Sequence, residues 1–200
     1  MKKFYWILFS LLIRLVLKLH GIKVGNKLYI EGIPKLKING KGSNIEIGKN
    51  VSIFGTVDIR NREQGKIIIE DGVKIDTNTR IVAARNGLIK IDEDSVIGPF
   101  TIINGGGNIS IGKKVIFAKN ISINANDHKY EKFNNIRDQG FVYGDVVIED
   151  DVWLGANVCV NKGVTIKKGS IVGANAVVTK DTDPYSINVG VPSKKISERK

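Results

Sequence analysis

Cysteine is almost missing from this chain: Cys159 is alone among the 200 residues, so no internal disulfide can form and no cysteine-based metal cluster can be built. Its position between Val158 and Val160 favours packing over nucleophilic chemistry, and a lone thiol suits a reducing cytoplasm. Histidine is nearly as scarce. His20 and His128 together cannot supply a three-histidine zinc site, so no metal is expected. No Pro/Gly/Ser-rich linker divides the chain, and its length suits one domain. Acidic residues are in deficit, 20 against 31 basic ones, for a net charge of +11. That balance favours anionic partners such as phosphorylated ligands or an anionic membrane face. Nucleic acid is not expected, because the lysines (Lys49, Lys74, Lys113, Lys167, Lys168) are scattered over turns with no aromatic stacking motif between them.

A clean apolar run is also lacking at the N-terminus. Residues 1–19 are apolar except for Lys2, Lys3, Ser10, Arg14 and Lys18, with the polar positions near helical spacing. Arg14 cuts the run short of a spanning helix. Lys18-Leu19-His20-Gly21 offers no small-residue cleavage site for a signal peptide. Two readings of this helix, residues 1–23, remain. One is an interfacial helix on an anionic leaflet, giving peripheral attachment to the inner face of the membrane. The other is a helix that caps the fold or packs between subunits.

What the chain does have is a period. Ile148, Leu154, Val160, Ile166, Val172 and Val178 recur every six residues, and four positions after each comes another compact side chain: Val152, Val158, Val164, Ser170, Ala176, Thr182. No α-helix or continuous strand has that period. It is the hexapeptide pattern of a parallel β-helix, three hexads to each triangular coil. The frame extends upstream through Ile111, Phe117, Ile123; Ile91, Ile97, Ile103; Ile69, Ile75, Ile81; Ile47, Ile53, Ile59; and Val24, Ile30, Leu36. The expectation is an all-β fold of about seven coils over residues 24–183, with a tail at 184–200. The glycines read as corner residues, since glycine tolerates bends.

The breaks in the frame are informative. Coils start at 24, 47, 69, 91, 111, 148 and 166, which leaves insertions of 5, 4, 4, 2, 19 and 0 residues, each after a third hexad. The insertions, including Asn39–Asn44, Asn61–Lys66, Ala84–Leu88 and Asn104–Asn108, should therefore stack along one edge. Repeat proteins gather loops on the face that binds. The largest loop, about residues 126–145, carries Asn126-Asp127-His128-Lys129-Tyr130.

The run from Val147 to Val158 (VIEDDVWLGANV), then Gly163-Val-Thr-Ile, Val172-Gly-Ala-Asn-Ala-Val-Val-Thr-Lys-Asp and Gly190-Val-Pro-Ser-Lys-Lys-Ile, resembles the hexapeptide-repeat acyltransferases. The resemblance is strongest over residues 111–197. It implies a left-handed β-helix, although general crossover statistics would give a right-handed one. It also implies a homotrimer using acetyl-CoA. On that likeness His128 is the general base, a task suited to a side chain that titrates between pH 5 and 8. Ala156, Ala174, Thr179, Lys180 and, from the tail, Lys194 would meet the cofactor. Asn104, Asn126, Trp153 and Gly155 are second candidates for the acceptor or for the oxyanion, which needs hydrogen-bond donors. Some relatives carry an asparagine where this chain has Gly98-Pro99-Phe100. Asp127 could orient the imidazole, although adjacency in sequence does not establish contact. His20 is given no role.

The functional expectation is an acetyl-CoA-dependent O-acetyltransferase acting on a carbohydrate hydroxyl of a surface polysaccharide or lipid-linked glycan, in the cytoplasm. The single-domain layout resembles polysaccharide-cluster acetyltransferases, and a pyrophosphate-linked glycan would bring negative charge to a basic protein. The alternatives are N-acetylation of an amino-sugar nucleotide and a non-catalytic scaffold. A scaffold would want regular outward ladders and no 19-residue insertion. Serine acetylation fits less well, because the helical N-terminal domain and acidic motif of those enzymes are missing.

Overall fold

A computed structural model of the chain describes residues 2–200; of the expected N-terminal segment, Met1 lies outside the described residues. Helix α1 (Lys2–Leu19) is followed by a left-handed parallel β-helix of seven coils, its short strands forming three sheets. Each hexad supplies one strand. In the first sheet, Val24, Ile47, Ile69, Ile91, Ile111, Ile148 and Ile166 stand in register, one per coil. In the third sheet, Leu36, Ile59, Ile81, Ile103, Ile123, Val160 and Val178 do the same. Of the 21 frame residues all are buried but Leu36, which closes the first coil and is partly buried. Each fully buried aliphatic side chain stabilises the column by about 1.5–3 kcal/mol.

The inward positions two residues before the frame carry the few buried hydroxyls. Each is satisfied by backbone: Ser95 Oγ donates to Gly112 O at 2.7 Å, and Thr101 Oγ1 to Gly98 O at 2.7 Å. A buried hydroxyl without a partner would be costly, so these bonds explain how polar residues enter an aliphatic core.

The corners use more than glycine. Thirteen residues other than glycine adopt positive φ, most of them three positions after a frame residue, and asparagine or aspartate dominates there: Asn50, Asn78, Asp94, Asn120, Asp151, Asn157, Asn175. Short polar side chains tolerate the left-handed region better than most. Gly72, Gly163 and Gly169 share that corner position with positive φ, while other glycines follow the frame residue, where the next coil stacks too closely for a side chain. A Cβ on Gly155 would stand 2.7 Å from the Ala174 amide nitrogen.

At one end α1 lies across the first coil. Ser10 Oγ donates to Trp6 O at 2.6 Å and accepts from Ile30 N–H at 2.7 Å, closing an amide that no earlier coil can pair. Leu17 is buried in the column, and Phe9 and Ile13 pack against it. At the other end, Ser186–Val189 adds a parallel strand to the second sheet, and Lys194–Glu198 folds back antiparallel upon it. No helix among the described residues is long and apolar enough to cross a membrane.

Candidate functional site

The insertions stack along the edge between the third and first sheets. The largest leaves the column after buried Ala125 and forms a hairpin, with Asn126–His128 paired antiparallel to Phe141–Tyr143. Its tip is tied by Gln139, whose Nε2 donates to Glu131 O at 3.1 Å and Asn134 O at 2.8 Å. Its return is pinned by Asp145, which accepts Asn108 N–H at 2.8 Å and Asn108 Nδ2 at 3.0 Å. Neighbouring insertions meet it from below. The Arg85 guanidinium lies 4.0 Å from the Tyr143 ring centroid, a cation–π contact. A Cβ on Gly106 would come within 2.6 Å of that ring, so only glycine lets Tyr143 settle on the coil below.

His128 is exposed on this hairpin, and its ring packs on its cross-strand neighbour Phe141, centroids 4.3 Å apart. Asp127 is engaged elsewhere, its Oδ2 lying 3.1 Å from Lys162 Nζ of the next coil. Among the described residues no hydrogen bond joins Asp127 to the imidazole. Asp127, His128, Tyr130, Val142 and Lys162 line an open cleft of about 380 Å³. Asn104 Nδ2 reaches Asn126 Oδ1 at 3.4 Å, so these two and His128 share one edge.

The other candidates lie elsewhere on the chain. Gly155, Ala156 and Ala174 occupy the corner between the second and third sheets, which carries no insertion in any coil. Gly155 is a correction: it is buried and its N–H already donates to Val172 O at 2.8 Å, leaving no donor for an oxyanion. The N–H groups of Ala156 and Ala174, by contrast, make no backbone hydrogen bond among the described residues. Beside them runs an amide ladder in which Asn120 Nδ2 donates to Asn157 Oδ1 and Asn157 Nδ2 to Asn175 Oδ1, both at 2.9 Å. Below the ladder stands Phe100, half-exposed with φ of 60°, a rare conformation for an aromatic residue.

Trp153 lies on the outer face of the second sheet, aligned in register with Val96, Ile116, Ile171 and Ile187. Ile116 and Trp153 are about half exposed, so this is an open apolar strip. Thr179 and Lys180 follow the last strand of the third sheet, on the hairpin's edge but two coils further along. Lys194 is exposed on the returning strand, and neither Lys180 nor Lys194 has an ion-pair partner among the described residues. The adjacent Lys195 is instead tied to Asp183 at 3.1 Å and Glu198 at 2.7 Å. Burial pushes the Cys159 thiol up, which keeps it protonated and weakens it as a nucleophile.

Residues 145–180 match the family model for the bacterial transferase hexapeptide (six repeats). That stretch carries the hexapeptide repeat that this family model describes. The chain is 33% identical over 76% of its length to a probable acetyltransferase of Mycobacterium tuberculosis, of which it covers 49%. It is 35% identical over 45% of its length to a galactoside O-acetyltransferase of Escherichia coli, of which it covers 44%. The chain thus spans less than half the length of these curated relatives. In fold it is similar to the N-acyltransferase AntD of Bacillus cereus, TM-score 0.63 at 22% identity over 94% of this chain and 89% of that one. It is also similar to the polysialic acid O-acetyltransferase OatWY, TM-score 0.60 at 23% identity over 88% of each chain.

The pairing of His128 with Phe141, the Arg85–Tyr143 stack and the Lys162 partner of Asp127 escaped the sequence reading. Each depends on hairpin register or on coil stacking, and neither follows from residue spacing alone.

Proposed function

We propose that this hexapeptide-repeat protein is an acetyl-CoA-dependent O-acetyltransferase acting on a carbohydrate hydroxyl, with His128 as general base. The observation that carries the reading is the imidazole held on a pinned hairpin at the loop-bearing edge, over an open cleft. The neutral ring accepts the acceptor's hydroxyl proton as the oxygen attacks the thioester carbonyl. The tetrahedral adduct then collapses, the ester forms, and the sulfur departs with the proton that the imidazolium returns. The donor suits the plain corner, where small side chains at Ala156 and Ala174 leave free N–H groups to meet a thin pantetheine arm. Lys180 and Lys194, which have no ion-pair partner among the described residues, would meet its phosphates, with Thr179 next to Lys180 at the end of the last strand of the third sheet.

In one chain the base and the Ala156–Ala174 corner stand on different edges, so we place the site between subunits of a homotrimer of about 66 kDa, three times 22.0 kDa. The apolar strip through Ile116 and Trp153 supports this, because half-exposed aliphatic and aromatic residues in line are an unfinished interface. Use of acetyl-CoA fits a cytoplasmic reaction. The test is thiol release from acetyl-CoA over a panel of sugar acceptors, with product analysis for ester or amide. Hydroxyl acceptors should support turnover that His128→Ala loses. Turnover confined to an amino-sugar nucleotide would move the chain to N-acetylation, and no turnover with any acceptor would make it a scaffold.

A further inference from the structure

We propose that the outer face of α1 is a docking surface for an anionic lipid bilayer. The helix has two apolar faces, and the fold uses only one. Phe9, Ser10, Ile13 and Leu17 face the first coil and close it. On the other side Phe4, Tyr5, Leu8, Leu11, Leu12 and Leu15 are each 53–67% exposed. Capping therefore accounts for the helix's presence but leaves this second face unexplained. A surface of this kind marks a site of protein or membrane contact.

Charge decides between those two occupants. The first 30 residues contain Lys2, Lys3, Arg14, Lys18, Lys23 and Lys27 and no acidic residue, Glu31 being the first; of these cations Lys23 is already paired with Glu46 at 2.7 Å. Lys18 and Lys27 are exposed. A second copy of the helix would bring the same cations against these, whereas anionic headgroups bring the opposite sign. Each cation near such a surface strengthens binding roughly fivefold.

Nor is the face a continuation of the apolar strip proposed for self-assembly. At the strip's register the first three coils carry Tyr29, Ser52 and Lys74, and the strip begins only at Val96. The two apolar surfaces are separated along the column by polar rungs, so each needs its own partner. The helix, at 18 residues, lies along the interface with its leucines inserted and does not cross it. Resting on the acetyl-transfer reading above, this orientation puts the fifth-coil hairpin roughly 20 Å above the first coil, four rises of about 4.8 Å. That suits a glycan carried on a lipid.

The experiment is flotation of the full chain with vesicles of phosphatidylglycerol and phosphatidylcholine, against phosphatidylcholine alone. The wild type should float with the anionic vesicles and at least tenfold less with the neutral ones. The variant Leu8→Glu/Leu12→Glu/Leu15→Glu should lose binding by about 100-fold or more. All three side chains are exposed, so its melting temperature and acetyl-CoA binding should be kept. Equal flotation of variant and wild type overturns the proposal, as does equal binding to neutral vesicles. If the wild type ignores vesicles while the variant is smaller by light scattering, the face is filled by a second copy and the proposal fails. None of these readouts requires turnover, so their failure is distinct from failure of the acetyltransferase reading.

Discussion

The two edges bounding the third sheet are built from the same repeat and behave in opposite ways. The edge toward the first sheet takes every insertion, and there the chain leaves the column to form the His128 hairpin, with Arg85 and Gly106 stacked against its Tyr143. The edge toward the second sheet takes none. Its corners repeat coil after coil, Asn120, Asn157 and Asn175 joined in one amide ladder beside the small residues Ala156 and Ala174. An uninterrupted corner makes a straight, rigid track on which an extended ligand can lie. An interrupted one can aim a single side chain. A coiled fold obtains both because insertions at one corner leave the hydrogen-bonded rungs at the others undisturbed.

The sharpest way to break this comparison is at the loop edge. His128→Ala should lower turnover by about 10²–10⁴-fold while leaving acetyl-CoA affinity nearly unchanged, measured by steady-state kinetics and cofactor titration. Wild-type turnover at saturating cofactor would leave the hairpin as a lid only. Ala174→Trp attacks the plain edge instead. It should raise the KM for acetyl-CoA by roughly 10- to 100-fold with a smaller change in kcat, because it removes binding and not chemistry. If the edges meet across subunits, mixed trimers of these two variants should, at acetyl-CoA well below the raised KM, turn over faster than either variant alone; no gain would place both edges in one protomer's site.

A smaller effect is expected at Lys194→Ala, a rise in KM of about 5- to 10-fold from the loss of one phosphate contact. The smallest concerns stacking between the sixth and seventh coils. Glu149 lies below the usual carboxylate range because it accepts the Lys168 N–H at 2.8 Å and lies 3.1 Å from Lys167 Nζ. A lowered folded pKa means that its stabilisation is present above the ordinary carboxylate value and lost as pH falls through the lowered one. Glu149→Gln should therefore lower Tm by about 1–3 °C at pH 7 and by nothing measurable at pH 2, read by thermal melts across pH.

Much of the column was legible in the residues. The six-residue spacing located every coil, and the register of Ile111 with Ile148 across the 19-residue insertion follows from counting alone. The edge that collects loops was legible for the same reason. The glycine reading holds only in part, because spacing gives the position of a corner but not its φ, and asparagine and aspartate share the left-handed position with Gly72, Gly163 and Gly169. Gly155 was misjudged as a donor because a ladder bond between coils cannot be seen from within one hexad. Asp127 lies next to His128 in sequence, yet its partner is Lys162, 35 positions away and one coil above.

The sequence by itself determined the stacked coils, because aliphatic burial at a fixed six-residue period calls for three-hexad turns, and it determined the positive N-terminal pole, because charge is additive over residues. Only the tertiary structure decided which helix face is used up by the first coil and which candidates share an edge. Those outcomes depend on distances between residues on different coils. A linear chain sets no such distance until the backbone rungs bring the coils to within one strand spacing of each other.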